Sequence, residues 1–367
     1  MRIVIIGSGF GGLNAAVEIR KKLKHSQLVI TVISDREEFI FRPSLIWIPF
    51  HKHSIKKFTF PLRPTFEKIG VNFIEKSVKS LMPKQNYVIC FDNEIIEYDY
   101  LILASGASPD WARIKGIEGK SASIYDISSA LKTRKRLEQI NEGEPIVIGV
   151  AQENPNQGIA YEFLFELDTY LNERCIKCPM TFFTYEKELF DGNGKESTEK
   201  LEVLMAEKQI PYYCNVSIEQ VDDEKVYLNN GEQLPYSFLL VLPPYKGKEC
   251  IRSSKDFEHE NGILPVHETL QSVQWENIYV VGDANNIKGR KTGRAAELQG
   301  ILAAENIVKQ IHHEPLQSFQ HDTLYLMELG KEGGMFIKQG TLKWTTSGMI
   351  PHMMKRAFEK YYLLKFS

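Results

Sequence analysis

The chain has 367 residues, 43% of them apolar and 25% charged, enough for two compact domains of ordinary globular composition. A net charge of −2 leaves no basic field to attract nucleic acid, and five scattered cysteines do not make a secreted disulfide framework. No stretch reaches the roughly 18 uninterrupted apolar residues of a spanning helix. Residues 1–6 run as a short strand into glycines rather than as a signal peptide, so a cytoplasmic location is expected.

In chain order, short β-branched runs alternate with amphipathic stretches, the pattern of an α/β protein. The β-like runs are 2–6, 28–33, 71–74, 87–91, 101–104, 146–149, 180–185, 238–242 and 278–281. The helix-like runs are 11–24, 127–141, 160–172, 195–208 and 294–311. Asp92-Asn93 and Asn230-Gly231 mark turns inside hairpin-like segments. The run 278–281, followed by Gly282-Asp283, looks like a return to the opening domain. The expected organisation is a discontinuous nucleotide-binding domain at 1–115 and 255–315, an inserted second Rossmann-like domain at 116–254, and a tail at 316–367.

The opening strand leads into Gly7-Ser8-Gly9-Phe10-Gly11-Gly12, a G-x-G-x-x-G at the start of a helix. Gly7 permits a tight turn, Gly9 lets backbone amides approach a pyrophosphate, and Gly12 allows helix to pack on strand. The phosphates then rest on a helix N-terminus, where unpaired amides favour anions. An acid is expected at the end of the second strand to hold ribose hydroxyls. Ser34 stands there and Asp35 follows it, so Ser34 or Asp35 takes that contact, or Asp35 is a surface turn residue.

Tyr98-Asp-Tyr-Leu-Ile-Leu-Ala104-Ser105-Gly106-Ala107 resembles the "YDxLIxATGA" turn of two-dinucleotide-domain flavoproteins, and Asn277-Ile-Tyr-Val-Val-Gly282-Asp283-Ala284 resembles their second FAD signature. Phe39-Ile-Phe-Arg42-Pro43-Ser-Leu45 is similar to the "FxFRPxL" loop of sulfide:quinone oxidoreductases. Gly158-Ile-Ala-Tyr-Glu162-Phe163, Leu242-Pro-Pro-Tyr245, Lys291-Thr292-Gly293 and residues 351–366 continue the resemblance over nearly the whole chain. The chain is thereby identified as a member of that family. The resemblance implies an α/β fold of two Rossmann-like domains with a C-terminal amphipathic helical tail. It also implies FAD as cofactor, a quinone as electron acceptor and a small inorganic or organic reductant as donor.

The resemblance also shows departures. The family's redox cysteines fall at Asn156 and approximately at Tyr125 and Tyr325, none of which can act as a thiolate nucleophile. Sulfide turnover by the usual route is therefore in doubt, and the flavin is expected to be non-covalent. Cys175 and Cys178 form a C-x-x-C where a helix runs into the next strand, remote from the cofactor edge; Cys90 and Cys214 read as core, and Cys250 as a loop residue. An NADH site would need a second glycine fingerprint. Residues 149–158 keep only Gly149 and Gly158, with Pro155 between them. An NAD(P)H-dependent dehydrogenase and a redox-silent FAD-binding subunit remain the rival readings.

Glu162 is a candidate proton carrier or a plain helix N-terminal carboxylate. Lys291 is either a stabiliser of negative charge on the flavin or quinone, or one of a solvated basic cluster. His51-x-His53 and His312-His313 lack ligand-spaced carboxylates or cysteines, so no metal is expected. Residues 349–366 place Ile350, Met353, Met354, Ala357, Phe358, Tyr361, Tyr362 and Leu364 at helical spacing among Lys355, Arg356, Lys360 and Lys365. Such a helix suits peripheral attachment to an anionic bilayer at the inner face of the cell membrane, or packing on the protein, with self-association left open. Because every flavin motif lies upstream, removal of residues 351–367 is expected to leave FAD in place.

Overall fold

The computed structural model describes residues 1–23, 28–320, 323–339 and 341–366. Its first sheet is five-stranded and parallel, in the order Ile278–Val280, Tyr100–Leu103, Arg2–Ile6, Val29–Ser34, Asn72–Glu75. The inner strands are buried along almost their whole length, as parallel strands covered on both faces must be. The helices Phe10–Lys22 and Gly293–Ile311 pack closely together beside this sheet. The expected first helix ends at Lys24, which lies outside the described residues.

A second parallel sheet takes the order Tyr212–Tyr213, Met180–Thr184, Ile146–Val150, Phe238–Leu242. The helix Gly158–Glu173 connects its first two strands in sequence and is buried without interruption from Ala160 to Leu171. A helix buried on all sides needs cover on all sides. The sheet supplies one side; the 3₁₀ turn Arg42–Trp47 and the tail strand Thr323–Glu328 supply others.

The tail is more than a helix. Thr323–Glu328, Gly333–Gln339 and Leu342–Gly348 form an antiparallel sheet before the helix Met349–Phe366. The first of these strands buries Tyr325 and Met327 while Leu324 on its other face is exposed. Apolar residues on both faces hide the period-two alternation that would mark a strand. Cys250, expected in a loop, instead sits buried in the short helix Glu249–Arg252.

The tail helix also divides its apolar residues between two faces. Pro351, Lys355, Glu359, Tyr362 and Phe366 are buried, one per turn. Tyr362 lies among Phe10, Phe39 and Phe41 at ring-centroid distances of 5.0, 5.4 and 5.6 Å. Its hydroxyl accepts a 2.8 Å hydrogen bond from Asn14 Nδ2, on the helix that the glycine loop opens. Met349, Ile350, Met353, Tyr361 and Leu364 face solvent.

Tyr362→Ala is expected to cost about 3–5 kcal/mol, the range for emptying a buried aromatic site. Tyr362→Phe should cost about 1 kcal/mol, because Asn14 loses one of its partners. Urea unfolding at constant m-value checks the ranking; equal midpoints for the two variants would show that the tail helix adds little to the fold.

Candidate active site

Three turns leave the carboxyl ends of neighbouring strands in the first sheet: residues 7–12, Ala104-Ser105-Gly106, and Gly282-Asp283. This edge is where open α/β sheets bind ligands. Gly7 has φ +97°, and a Cβ there would lie 2.3 Å from the Ala104 carbonyl oxygen. A Cβ on Gly12 would lie 1.9 Å from the Gly7 oxygen, so the two turns are pressed together as only glycine allows. Gly9 faces open space. Phe10 turns its ring away, into the aromatic cluster around Tyr362, and Gly11 packs against the Val281 side chain.

The hydroxyls of Ser8 and Ser34 are buried and 2.7 Å apart, which fixes Ser34 beside the glycine loop. Asp35 is exposed, 3.9 Å from its neighbour Arg36. Pro43 lies on the surface, while the Arg42 guanidinium stands 4.5 Å over the Tyr125 ring.

Polar groups along this edge await a ligand. Ser105 Oγ is buried with no hydrogen-bond partner among the described residues. Among the described residues none donates to the carboxylate of half-buried Asp283, and burial raises its pKa against the pull of Lys291, Arg42 and Lys248. Gly106, at φ +68°, leaves further open space. A cofactor with phosphates for the glycine loop and hydroxyls for Asp283 and Ser105 satisfies these groups, and FAD carries both. Lys291 Nζ donates to both Asn285 Oδ1 and the Asn285 carbonyl at 2.8 Å, and to the Gly282 carbonyl at 3.3 Å. It thus clamps the turn that presents Asp283, and burial lowers its pKa to about 8. Thr292 caps the helix that begins at Gly293 by accepting from Ala295 N at 3.1 Å. The positive end of that helix stabilises negative charge beyond it.

At the three departures from the family's cysteines stand polar and aromatic groups. Tyr125 donates to the Ala107 carbonyl. Burial opposes its ionisation, yet Arg42 and Lys248 bring the phenol below its usual pKa. Tyr325 lies over the start of the helix Gly158–Glu173: a Cβ on Gly158 would meet its ring and hydroxyl at 2.4 Å. Asn156 accepts nothing on its buried Oδ1. Tyr245 lies edge-on to Tyr125 at 6.4 Å and within electrostatic reach of Arg42, Asp283 and Tyr325.

Glu162 does not cap a helix. It is the fifth residue of Gly158–Glu173, it is buried, and its Oε1 accepts from Lys355 Nζ and, at 3.1 Å, from Glu328 N. Lys355, expected to reach anionic headgroups, is therefore buried in an ion pair. Glu359 next to it accepts from Ser44 and contacts His53 at 2.9 Å. With Tyr362 against Phe10, these contacts fix the tail helix on the helix that the glycine loop opens and on the long helix of the second sheet. Removal of residues 351–367 would therefore uncover Phe10 and leave Glu162 without its cation. The sequence signal for the buried ionic layer is Glu162 and Glu166, four apart among the apolar residues of the first half of that helix.

Residues 1–301 match the family described as pyridine nucleotide-disulphide oxidoreductase. The sulfide-quinone reductase of Aquifex aeolicus is 31% identical, with 99% of this chain and 90% of that protein aligned. The crystal structure of the sulfide:quinone oxidoreductase from Aquifex aeolicus superimposes with a TM-score of 0.93 over 100% of this chain and 91% of that one. NDH2 from Plasmodium falciparum shares the fold at a TM-score of 0.78 and 18% identity, over 100% of this chain and 94% of that one. The chain belongs to the pyridine nucleotide-disulphide oxidoreductases and, among them, to the sulfide:quinone oxidoreductase family. It is an FAD-dependent oxidoreductase that holds its flavin without a covalent bond.

Asp283→Ala is expected to weaken FAD retention by the equivalent of about 1.5–3 kcal/mol, the worth of a charge-assisted hydrogen bond. Asp35→Ala should change retention little, since Asp35 is exposed. Flavin released during gel filtration measures both, and equal release from the two variants would contradict the placement of Asp283.

Proposed function

We propose that this enzyme carries electrons from a small reductant through FAD to a quinone at a membrane surface. The observation that supports this reading most is the two-faced tail helix. Its inner face packs on the two Rossmann-like halves through Lys355, Glu359 and Tyr362, and its outer face shows Met349, Ile350, Met353, Tyr361 and Leu364 to solvent. No helix among the described residues is long and apolar enough to cross a membrane, so attachment would be peripheral. Arg356, Lys360 and Lys365 are exposed beside the apolar face, and each such residue near an anionic surface contributes on the order of 1 kcal/mol.

When bound, FAD supplies a two-electron carrier. The chain's own residues do the rest: the loop at residues 7–12 would hold the phosphates, Asp283 a ribityl hydroxyl, and the start of the helix Gly293–Ile311 would favour negative charge at the ring. Lys291 would keep Asp283 in position. On the donor side sulfide is named by the relatives alone. Burial raises the pKa of Cys90 and Cys178, that of Cys214 to about 12 and that of Cys250 to about 11, so none of these is a thiolate at neutral pH. With Asn156, Tyr125 and Tyr325 in the cysteine places, the donor would reduce the flavin directly rather than through a thiol adduct. NADH is a poorer fit, because Tyr325 covers the helix start where a pyrophosphate would rest.

The full-length protein is expected to sediment with anionic liposomes. The double variant Met353→Asp/Leu364→Asp should stay in the supernatant with its flavin bound, since both positions are exposed. Anaerobically reduced enzyme should be reoxidised by a soluble quinone, while micromolar NADH should bleach the flavin slowly or not at all. A protein that ignores liposomes and is bleached rapidly by NADH would instead be a soluble dehydrogenase. A flavin that quinone leaves reduced would mark a silent FAD-binding subunit.

A further inference from the structure

The three-stranded tail sheet packs on the protein with one face only. On that face Tyr325, Phe336 and Thr345 stand side by side across the strands. Phe190 of the second Rossmann-like half meets the Tyr325 and Phe336 rings at centroid distances of 5.6 and 4.8 Å, and the Thr345 hydroxyl lies 2.7 Å from that of Ser197. The opposite face carries Leu324, Ile337 and Trp344 in one row, Leu326, Met335 and Thr346 in the next, and Glu328, Gly333 and Gly348 in the last. The tail helix covers the last row. Gly348, at φ +132°, turns the chain back over the sheet, His352 Nδ1 reaches Glu328 at 2.6 Å, and a Cβ on Gly333 would meet the His352 backbone at 2.3 Å. By Trp344, four residues and about 13 Å back along the strand, the face lies open. Leu324, Trp344 and Leu342 are 43%, 46% and 62% exposed there.

Charge and area indicate what such a face meets. Residues 333–358 contain no aspartate or glutamate, although the chain has 47 of them. The same stretch carries Lys338, Lys343, Lys355 and Arg356. Lys338 and Lys343 stand opposite each other in adjacent strands, where like charges repel, and an anionic surface relieves that repulsion. The open side chains are too few for a stable protein partner, which needs about 800 Å² on each side. They are of the kind a bilayer takes up, since tryptophan settles at headgroup level and aliphatic side chains enter the acyl boundary. We propose that the open end of the tail sheet, centred on Trp344, is a second lipid-insertion surface that docks with the tail helix into one anionic bilayer. This rests on the membrane reading above.

The second contact has a mechanical consequence. A single amphipathic helix lying in the interface leaves the protein free to rock about the helix axis. The sheet is tied to that helix through Glu328 and His352, and to the second Rossmann-like half through Phe190 and Ser197. Lipid contact at Trp344 therefore removes the rocking and sets which edge of the molecule faces the membrane.

The test uses the FAD-loaded full chain and vesicles of equal parts phosphatidylcholine and phosphatidylglycerol. Leu342→Ser/Trp344→Ser, at two exposed positions, should bind these vesicles at least about tenfold more weakly than wild type, as loss of two inserted apolar side chains requires, with the flavin spectrum unchanged. Brominated acyl chains should quench the tryptophan emission of wild type. Trp344→Phe should lose that quenching while still binding, because Trp47, Trp111 and Trp275 are buried or half-buried. A wild type that sediments with the vesicles but is not quenched, with a double variant that binds equally well, would overturn the sheet contact and leave the membrane reading standing. A wild type that ignores the vesicles would overturn both. A double variant of smaller mass than wild type in light scattering would show that this face joins copies of the chain, and would overturn the lipid contact.

Discussion

The Lys355–Glu162 ion pair is the constraint on which the rest of the arrangement depends. Two opposite charges removed from water are tolerable only while they stay together, and parting them leaves a buried charge that costs several kcal/mol. Lys355 belongs to the tail helix and Glu162 to the long helix of the second sheet. The pair therefore fixes the tail across the molecule, and over the next two turns Glu359 and Tyr362 close over Ser44, Phe10 and Asn14. The flavin edge, the second sheet and the tail are joined at this layer. Any surface on the outer face of the tail helix is thus held at a set distance from the glycine loop.

What could be read from the sequence and what could not follow from this geometry. The glycine loop, Gly282-Asp283 and the strands that carry them are local features: a tight turn admits only glycine, and a buried parallel strand is apolar throughout. The tail was harder. Its helix carries apolar residues on both faces, so periodicity identifies a helix without showing which face packs inward. Lys355 looked like its neighbours Arg356 and Lys360 in composition. Only the position of Glu162, 193 residues earlier in the chain, makes it different. The strand Thr323–Glu328 was hidden for a related reason, since Leu324 and Leu326 on one face imitate the core residues Tyr325 and Met327 on the other. Cys250 looked like a loop residue because a four-residue helix is too short to show a period.

The replacement of three cysteines changes the donor side more than the acceptor side. Tyr325 fills the space over Gly158 with a ring, and Tyr125 engages Arg42 and Lys248, so these positions keep polar groups without nucleophilic thiols. On the reading proposed above, electron entry and electron exit become separable problems in this chain. The exit would lie with the two-faced helix, and the entry with phenol and amide groups that cannot hold a sulfur covalently.

If the tail helix is a wall of the flavin site, the dissociation constant for FAD of a chain ending at Ile350 tests it most directly, titrated against the apoprotein of the full chain. Loss of Lys355, Glu359 and Tyr362 strands Glu162 and uncovers Phe10 beside the glycine loop. The truncated chain is expected to bind FAD at least about tenfold more weakly, a difference of about 1.4 kcal/mol. An unchanged dissociation constant and an unchanged flavin spectrum would show instead that the helix is an appendage, and that the site is complete without it.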